Sequence, residues 1–177
     1  MLKLNEFRDR AHKNGVKLGH WDALYNDNVE ASFVLMFLEV DAMYILFSKE
    51  SLVTSASNNI QDNFKHRLAE LIIRTLDLCG ELNIDVDKIM KKCTIEILTT
   101  DPFANARTMM QKILVLHDLI TFAVTDDTGS RSDNDNSMYD SESIVRILIA
   151  TLELARYSNI DMKKYLKNVI EYKEKEE

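Results

Sequence analysis

Apolar residues recur at helical spacing over most of the chain, and the clearest case lies between Phe64 and Lys92. Within it, one set of residues repeats at steps of three and four positions: Leu68, Leu71, Ile72, Thr75, Leu76 and Cys79. Such spacing places the side chains on one face of an amphipathic helix. Gly80 is placed to end this helix, and Asp85 is placed to cap a second one.

The same pattern returns 76 residues later. The triplet Asn-Ile-Asp at 83–85 occurs again at 159–161, and the flanking helices align at that one offset without a gap. An ungapped match over two helices favours an internal duplication. We therefore predict a single all-α domain, 1–177, made of a first repeat at residues 1–100 and a second at residues 101–177.

The rest of the chain shows further helical patterns separated by polar stretches. The patterns predict helices at Leu2–Asn14, Val29–Phe47, Phe103–Val124, Ser141–Tyr157 and Asp161–Tyr172. The polar loops are predicted at Ser48–Asn63 and Thr125–Asp140. Asp27 and the pair Asp101-Pro102 are typical of helix starts. The helix Val29–Phe47 is almost wholly apolar, interrupted by Glu39 and Asp41, so we expect it to be buried on most sides.

The composition favours long helices in a soluble chain. Four glycines and one proline among 177 residues leave few turns, which disfavours an all-β fold. The net charge of −7 disfavours general nucleic-acid binding, which needs a basic surface. We find neither a signal-peptide pattern nor a run of about 18 apolar residues, so we expect a cytoplasmic protein without a membrane span. Cys79 and Cys93 lie among apolar residues and are expected to be reduced core thiols.

Two stretches resemble one known family. Residues 68–92, LAELIIRTLDLCGELNIDVDKIMKK, are similar to a segment of the all-α nucleoside triphosphate pyrophosphatases, the MazG-like group. A weaker match covers Gly19–Met43, where GHWD precedes LMFLEVDAM. The resemblance implies a helical bundle in which a fused tandem repeat acts as a pseudo-dimer within one chain. The helices Val29–Phe47 and Phe103–Val124 would then face each other, and further homodimerisation is a second expectation.

The resemblance also implies a Mg²⁺ site. Members of the family bind Mg²⁺ through acid pairs at i and i+3 on two long helices, and the carboxylates that match here are Glu39, Glu70 and Asp77. Mg²⁺ prefers such hard oxygen ligands and can activate a water molecule between phosphates. The sequence departs from the family pattern at Ala42 and at Arg67, which both stand where the family has an acid. These departures make Mg²⁺ a doubtful cofactor and hydrolysis less favoured than binding.

Five further residues are candidate ligand contacts. Arg67, Arg74 and Lys65 could contact an anionic ligand, Trp21 could stack on a base, and His20 could hydrogen-bond a base edge. Structural alternatives stay open: Arg74 could pair with Glu70, Glu39 could belong to an ion pair, and Trp21 could close the end of the bundle.

We therefore expect a protein that binds a small-molecule nucleotide with impaired or no hydrolysis, and that sequesters or senses it. One alternative is an active Mg²⁺-dependent pyrophosphohydrolase acting on nucleoside triphosphates. The other is a helical scaffold that binds a protein partner.

Overall fold

A computed structural model describes residues 3–22, 28–50, 57–97, 103–125 and 139–173. All regular secondary structure in these ranges is α-helical, which confirms the predicted all-α class. The helices are α1 (Leu4–Lys17), α2 (Asn28–Glu50), α3 (Ser57–Glu81), α4 (Val86–Ile97), α5 (Met109–Thr125), α6 (Ser141–Tyr157) and α7 (Met162–Lys173). The helix starts predicted at Asp27 and Asp101-Pro102 lie outside the described residues.

Four long helices form the centre of the fold. Helix α2 packs against α3 and α5, while α6 also packs against α3 and α5, so the four helices close a ring. The predicted contact between the two apolar helices, α2 and α5, is therefore confirmed. Helix α1 packs on α3, α4 and α7, whereas α4 lies on α6 and α7 lies on α3.

Burial follows the predicted apolar face in α3, but the expectation that α2 is buried on most sides was wrong. Val34, Leu38 and Ile45 are exposed along one side of α2, because the helix packs on α3 and α5 with its other side. Every residue predicted to share the inner face of α3 is fully buried: Leu68, Leu71, Ile72, Thr75, Leu76 and Cys79. Helix α2 contributes Phe33, Met36, Val40 and Met43 to the same core, and α5 contributes Ile113, Leu116 and Ile120. Met36 and Met43 are fully buried and fill the core as flexible apolar side chains.

The two helix junctions have the same backbone geometry. Asn83 and Asn159 have φ values of 53° and 54°, in the left-handed region. In each junction the following isoleucine N–H donates to the carbonyl five residues back, at 2.8 Å in the first and 3.0 Å in the second. This is the Schellman arrangement, in which a left-handed residue ends one helix. Asp85 and Asp161 then accept a backbone N–H and cap α4 and α7, as predicted for Asp85.

We expect Asn83→Ala and Asn159→Ala to cost similar amounts of stability. An alanine in the left-handed region loses about 1–2 kcal/mol, whereas Asn83→Gly and Asn159→Gly should be nearly neutral. Urea unfolding of the four variants measures this directly. A loss at only one of the two junctions would contradict their equivalence.

Several predicted boundaries were wrong, and two of the errors share one cause. Helix α1 continues past Asn14-Gly15 to Lys17, and α3 continues past Gly80 to Glu81. A Cβ on Gly15 would lie 2.7 Å from Asp77 Cγ, and one on Gly80 would lie 2.6 Å from His12 Cγ. Both glycines therefore permit close packing of α1 on α3 instead of ending a helix.

Two other helix starts differ from the predicted positions. Helix α3 begins at Ser57, inside the predicted polar loop. Helix α5 begins at Met109 and not at Phe103, because Phe103 lies in a turn with its ring buried. Helix α6 begins and ends at the predicted residues.

Helix α2 also corrects the expectation that no stretch approaches a membrane span. Its segment Asn28–Ser48 is long and apolar enough to cross a membrane by length and composition, with a mean hydropathy of 1.7. A core helix of a soluble protein can have the same length and composition, although only 28% of this segment is buried. Its contacts with α3 and α5 and its ion-paired Glu39 favour a bundle helix.

Candidate functional site

Glu39 is a buried carboxylate that two arginines neutralise. Its side chain is 6% exposed and lies in the middle of α2. Arg67 Nη1 donates to Glu39 Oε2 at 3.0 Å, and Arg74 Nε donates to Oε1 at 3.3 Å. A buried carboxylate is tolerated when charged donors satisfy it. Arg67, which stands where the resemblance places a metal ligand, thus brings a fixed positive charge to this carboxylate.

Glu70 pairs with a residue from the far end of the chain. Lys173 Nζ, in the last turn of α7, donates to Glu70 Oε2 at 2.8 Å. The carboxylate side chain is 9% exposed, so this contact is mostly shielded from water. The sequence left open a pairing of Glu70 with Arg74. In the structure Glu70 pairs with Lys173, and Arg74 pairs with Glu39.

The Asp77 carboxylate accepts hydrogen bonds from the ring nitrogens of one tryptophan and two histidines. The carboxylate lies 2.7 Å from Trp21 Nε1, 3.1 Å from His12 Nδ1 and 3.4 Å from His20 Nδ1. Residues 18–22, which follow α1 and which we call the connector, reach Asp77 because Gly19, at φ 75°, ends α1 with a Schellman turn. Asp77 therefore anchors the connector to α3.

A cleft opens beside this cluster, between the connector, the start of α2 and the middle of α3. It encloses about 200 Å³, and its lining combines polar and small apolar side chains: His20, Asn28, Ala31, Ser32, Leu35, Arg74 and Asp77. A second cavity of about 30 Å³ shares His20, Arg74 and Asp77 and reaches Glu70 and Lys173. The two cavities connect the candidate ligand contacts His20 and Arg74 with the candidate metal ligands Glu70 and Asp77.

The described carboxylates do not present a set of metal ligands. Among the residues that the structure describes, no group of three or more His, Cys, Asp and Glu side chains could hold a metal ion. Glu39 and Glu70 each face a cation, and Asp77 accepts from three rings. Mg²⁺ would have to displace these donors and sit close to fixed positive charges. Ligation by Glu39, Glu70 and Asp77 stays a prediction of the resemblance.

The remaining sequence candidates lie in different places. Trp21 packs against the core with its ring 6.0 Å from that of His12, and its indole N–H is taken by Asp77. Lys65 forms an ion pair with Asp62 at 3.2 Å. It also lines a separate groove together with Lys164, other residues of α7 and residues of the turn before α7. The structure thus brings together His20 and Arg74, and it joins Arg67 to them through Glu39.

Two residues of this site were not identified from the sequence. His12 lies in α1, 65 residues from Asp77, and Lys173 lies one residue beyond the predicted end of the last helix at Tyr172. No local spacing links either residue to α3, because both contacts arise from helix packing. The pattern of small residues offered one signal, since Gly15 and Gly80 mark the close approach of α1 to α3.

The two cysteines do not line the cleft or the adjoining cavity. Both are reduced thiols buried in the core, as predicted. Burial raises the pKa of the Cys79 thiol to about 12. A thiol with so high a pKa is not an active nucleophile near neutral pH.

Comparisons of the chain with models of protein families, with curated proteins and with solved structures find no match.

Proposed function

We propose that this protein binds a nucleotide or a nucleotide-like signal in the cleft beside Asp77, and that it does so without hydrolysing it. The observation that carries the proposal is the pairing of Glu39 with Arg67 and Arg74. In a hydrolase of the MazG-like type, a carboxylate at this place would bind Mg²⁺. Here two guanidinium groups supply positive charge in place of the ion.

The cleft offers the groups that such a ligand needs. The Nε of Arg74 is used by Glu39, which leaves its terminal N–H groups as donors for a phosphate. His20 lies at the exposed edge of the cleft and can donate or accept a hydrogen bond. Leu35 and Ala31 provide an apolar wall for the flat face of a base. Trp21 serves this site indirectly, because it holds the connector that carries His20.

We also propose that the fold arose by fusion of two MazG-like repeats into a cytoplasmic pseudo-dimer. The equal geometry at Asn83 and Asn159 supports this. So does the ring of four helices, in which α2 and α3 contact α5 and α6 respectively.

Calorimetric titration with a panel of nucleotides tests the proposed binding. We expect binding in EDTA and no release of pyrophosphate when Mg²⁺ is added. Arg74→Gln should weaken binding at least about tenfold, because it removes a charge-assisted contact to phosphate. Arg156→Gln is the matched control, since Arg156 also pairs with a glutamate but lies on the surface of α6.

Two outcomes would contradict the proposal. One is pyrophosphate release that requires Mg²⁺ and disappears in Glu39→Ala, which would identify an active hydrolase. The other is the absence of binding across the whole panel, which would favour a scaffold.

A further inference from the structure

The charged side chains around the cleft cancel one another. The cations are Arg67, Arg74 and Lys173, and the carboxylates are Glu39, Glu70 and Asp77. With His12 and His20 left out of the count, three positive charges face three negative charges. The described site carries no surplus of positive charge that could neutralise a chain of phosphates.

We propose that the ligand carries a single phosphate, as a nucleoside monophosphate or a cyclic phosphodiester, and is not a triphosphate. The inference rests on the proposed function and narrows the class of ligand. A phosphate monoester carries about −1.5 to −2 charges at pH 7, and each additional phosphate adds more negative charge. Proteins that bind triphosphates usually neutralise this charge with Mg²⁺ and several cationic side chains.

Arg74 matches a ligand with one phosphate. It is the one arginine in the described lining of the cleft, and its planar fork can form two parallel hydrogen bonds to a single phosphate group. Glu39 accepts from the Nε of Arg74 and from Arg67, so the terminal N–H groups of Arg74 remain as donors to a ligand. One such pair of donors suits one phosphate group.

The size of the cleft supports the same conclusion. Its volume of about 200 Å³ is below the roughly 300–1,000 Å³ of sites that bury most of a drug-sized ligand, so part of any nucleotide lies outside it and additional phosphates find no further enclosed space there. The adjoining cavity adds only about 30 Å³ and ends at the Glu70–Lys173 pair. An extended triphosphate would therefore place its outer phosphates near the carboxylates of Glu70 and Asp77, where like charges repel.

Competition titrations at pH 8 in EDTA test the ligand class. The probes are the nucleoside, the 5′-monophosphate, the 3′,5′-cyclic monophosphate and the 5′-triphosphate of each base. We expect one of the two monophosphates to bind at least about tenfold more tightly than both the nucleoside and the triphosphate of the same base. Added Mg²⁺ should leave that order unchanged.

A charge variant provides a second readout. Glu70→Gln removes one negative charge beside the cleft while keeping a hydrogen-bond acceptor for Lys173. We expect it to shift the preference toward the triphosphate by about tenfold. The Glu70 carboxylate lines the adjoining cavity and is mostly buried, so water and salt screen its charge incompletely. Glu171→Gln is the matched control, since Glu171 lies in α7 and pairs with Lys167 at the surface, and it should leave the preference unchanged.

The possible failures are distinguishable. Triphosphate binding equal to or tighter than monophosphate binding, or an unchanged preference in Glu70→Gln, would overturn the ligand class and leave nucleotide binding intact. Absence of binding by every probe would overturn both this inference and the proposed function.

Discussion

Replacing both arginines that face Glu39 is expected to lower the free energy of unfolding by about 3 kcal/mol. The variant Arg67→Ala/Arg74→Ala leaves a carboxylate side chain that is only 6% exposed without its charged donors. Breaking a buried ion pair by removing one side costs about 3–5 kcal/mol. We expect the lower end, because both arginines are partly exposed and water can approach once they are removed. Urea unfolding followed by circular dichroism measures the loss.

Two further variants test whether the cost comes from the carboxylate. Adding Glu39→Leu to the double variant should restore most of the stability, since no charge then remains buried in α2. Lys167→Ala removes one partner of the exposed Lys167–Glu171 pair and should cost less than about 0.5 kcal/mol. If the double variant loses less than 1 kcal/mol, or if Glu39→Leu restores nothing, then the arginines do not hold Glu39 as described.

The sequence predicted the helices better than their contacts. The inner face of α3 and the bounds of α6 follow directly from apolar spacing, because both helices are buried along one side. The start of α5 could not be predicted in this way. Phe103 continues the apolar spacing of α5 in the sequence. In the structure it lies in a turn before the helix, and its ring packs edge-on against that of Tyr157. Tertiary packing and not local spacing sets that boundary.

Within the candidate site, the sequence identified the residues that need partners but not the partners themselves. Glu39 stands out because a carboxylate in an apolar helix must be paired. Arg67 and Arg74 were identified separately, as ligand contacts, and only the packing of α2 on α3 joins them to Glu39. The contact of Lys173 with Glu70 spans 103 residues, so no local pattern encodes it.

A methyl group on Gly15 is expected to destabilise the protein and to disturb the cluster around Asp77. In a helix, Gly→Ala normally gains about 1 kcal/mol. Here the new Cβ would lie 2.7 Å from Asp77 Cγ, so α1 must move away from α3 or Asp77 must give up its three donors. Overpacking of this kind costs about 1–3 kcal/mol, and the lost hydrogen bonds to the carboxylate add to it. We expect a net loss of about 2 kcal/mol in urea unfolding.

The same substitution should change sign once Asp77 is truncated. In an Asp77→Ala background the obstructing carboxylate is gone, and Gly15→Ala should be neutral or stabilising by up to about 1 kcal/mol. Trp21 is the single tryptophan of the chain, and its indole N–H is bound to Asp77, so its fluorescence reports on the cluster independently of stability. Gly15→Ala and Asp77→Ala should each shift the emission of Trp21. Equal costs of Gly15→Ala in both backgrounds would show that the carboxylate does not lie against α1, and would remove Asp77 as the anchor of the connector.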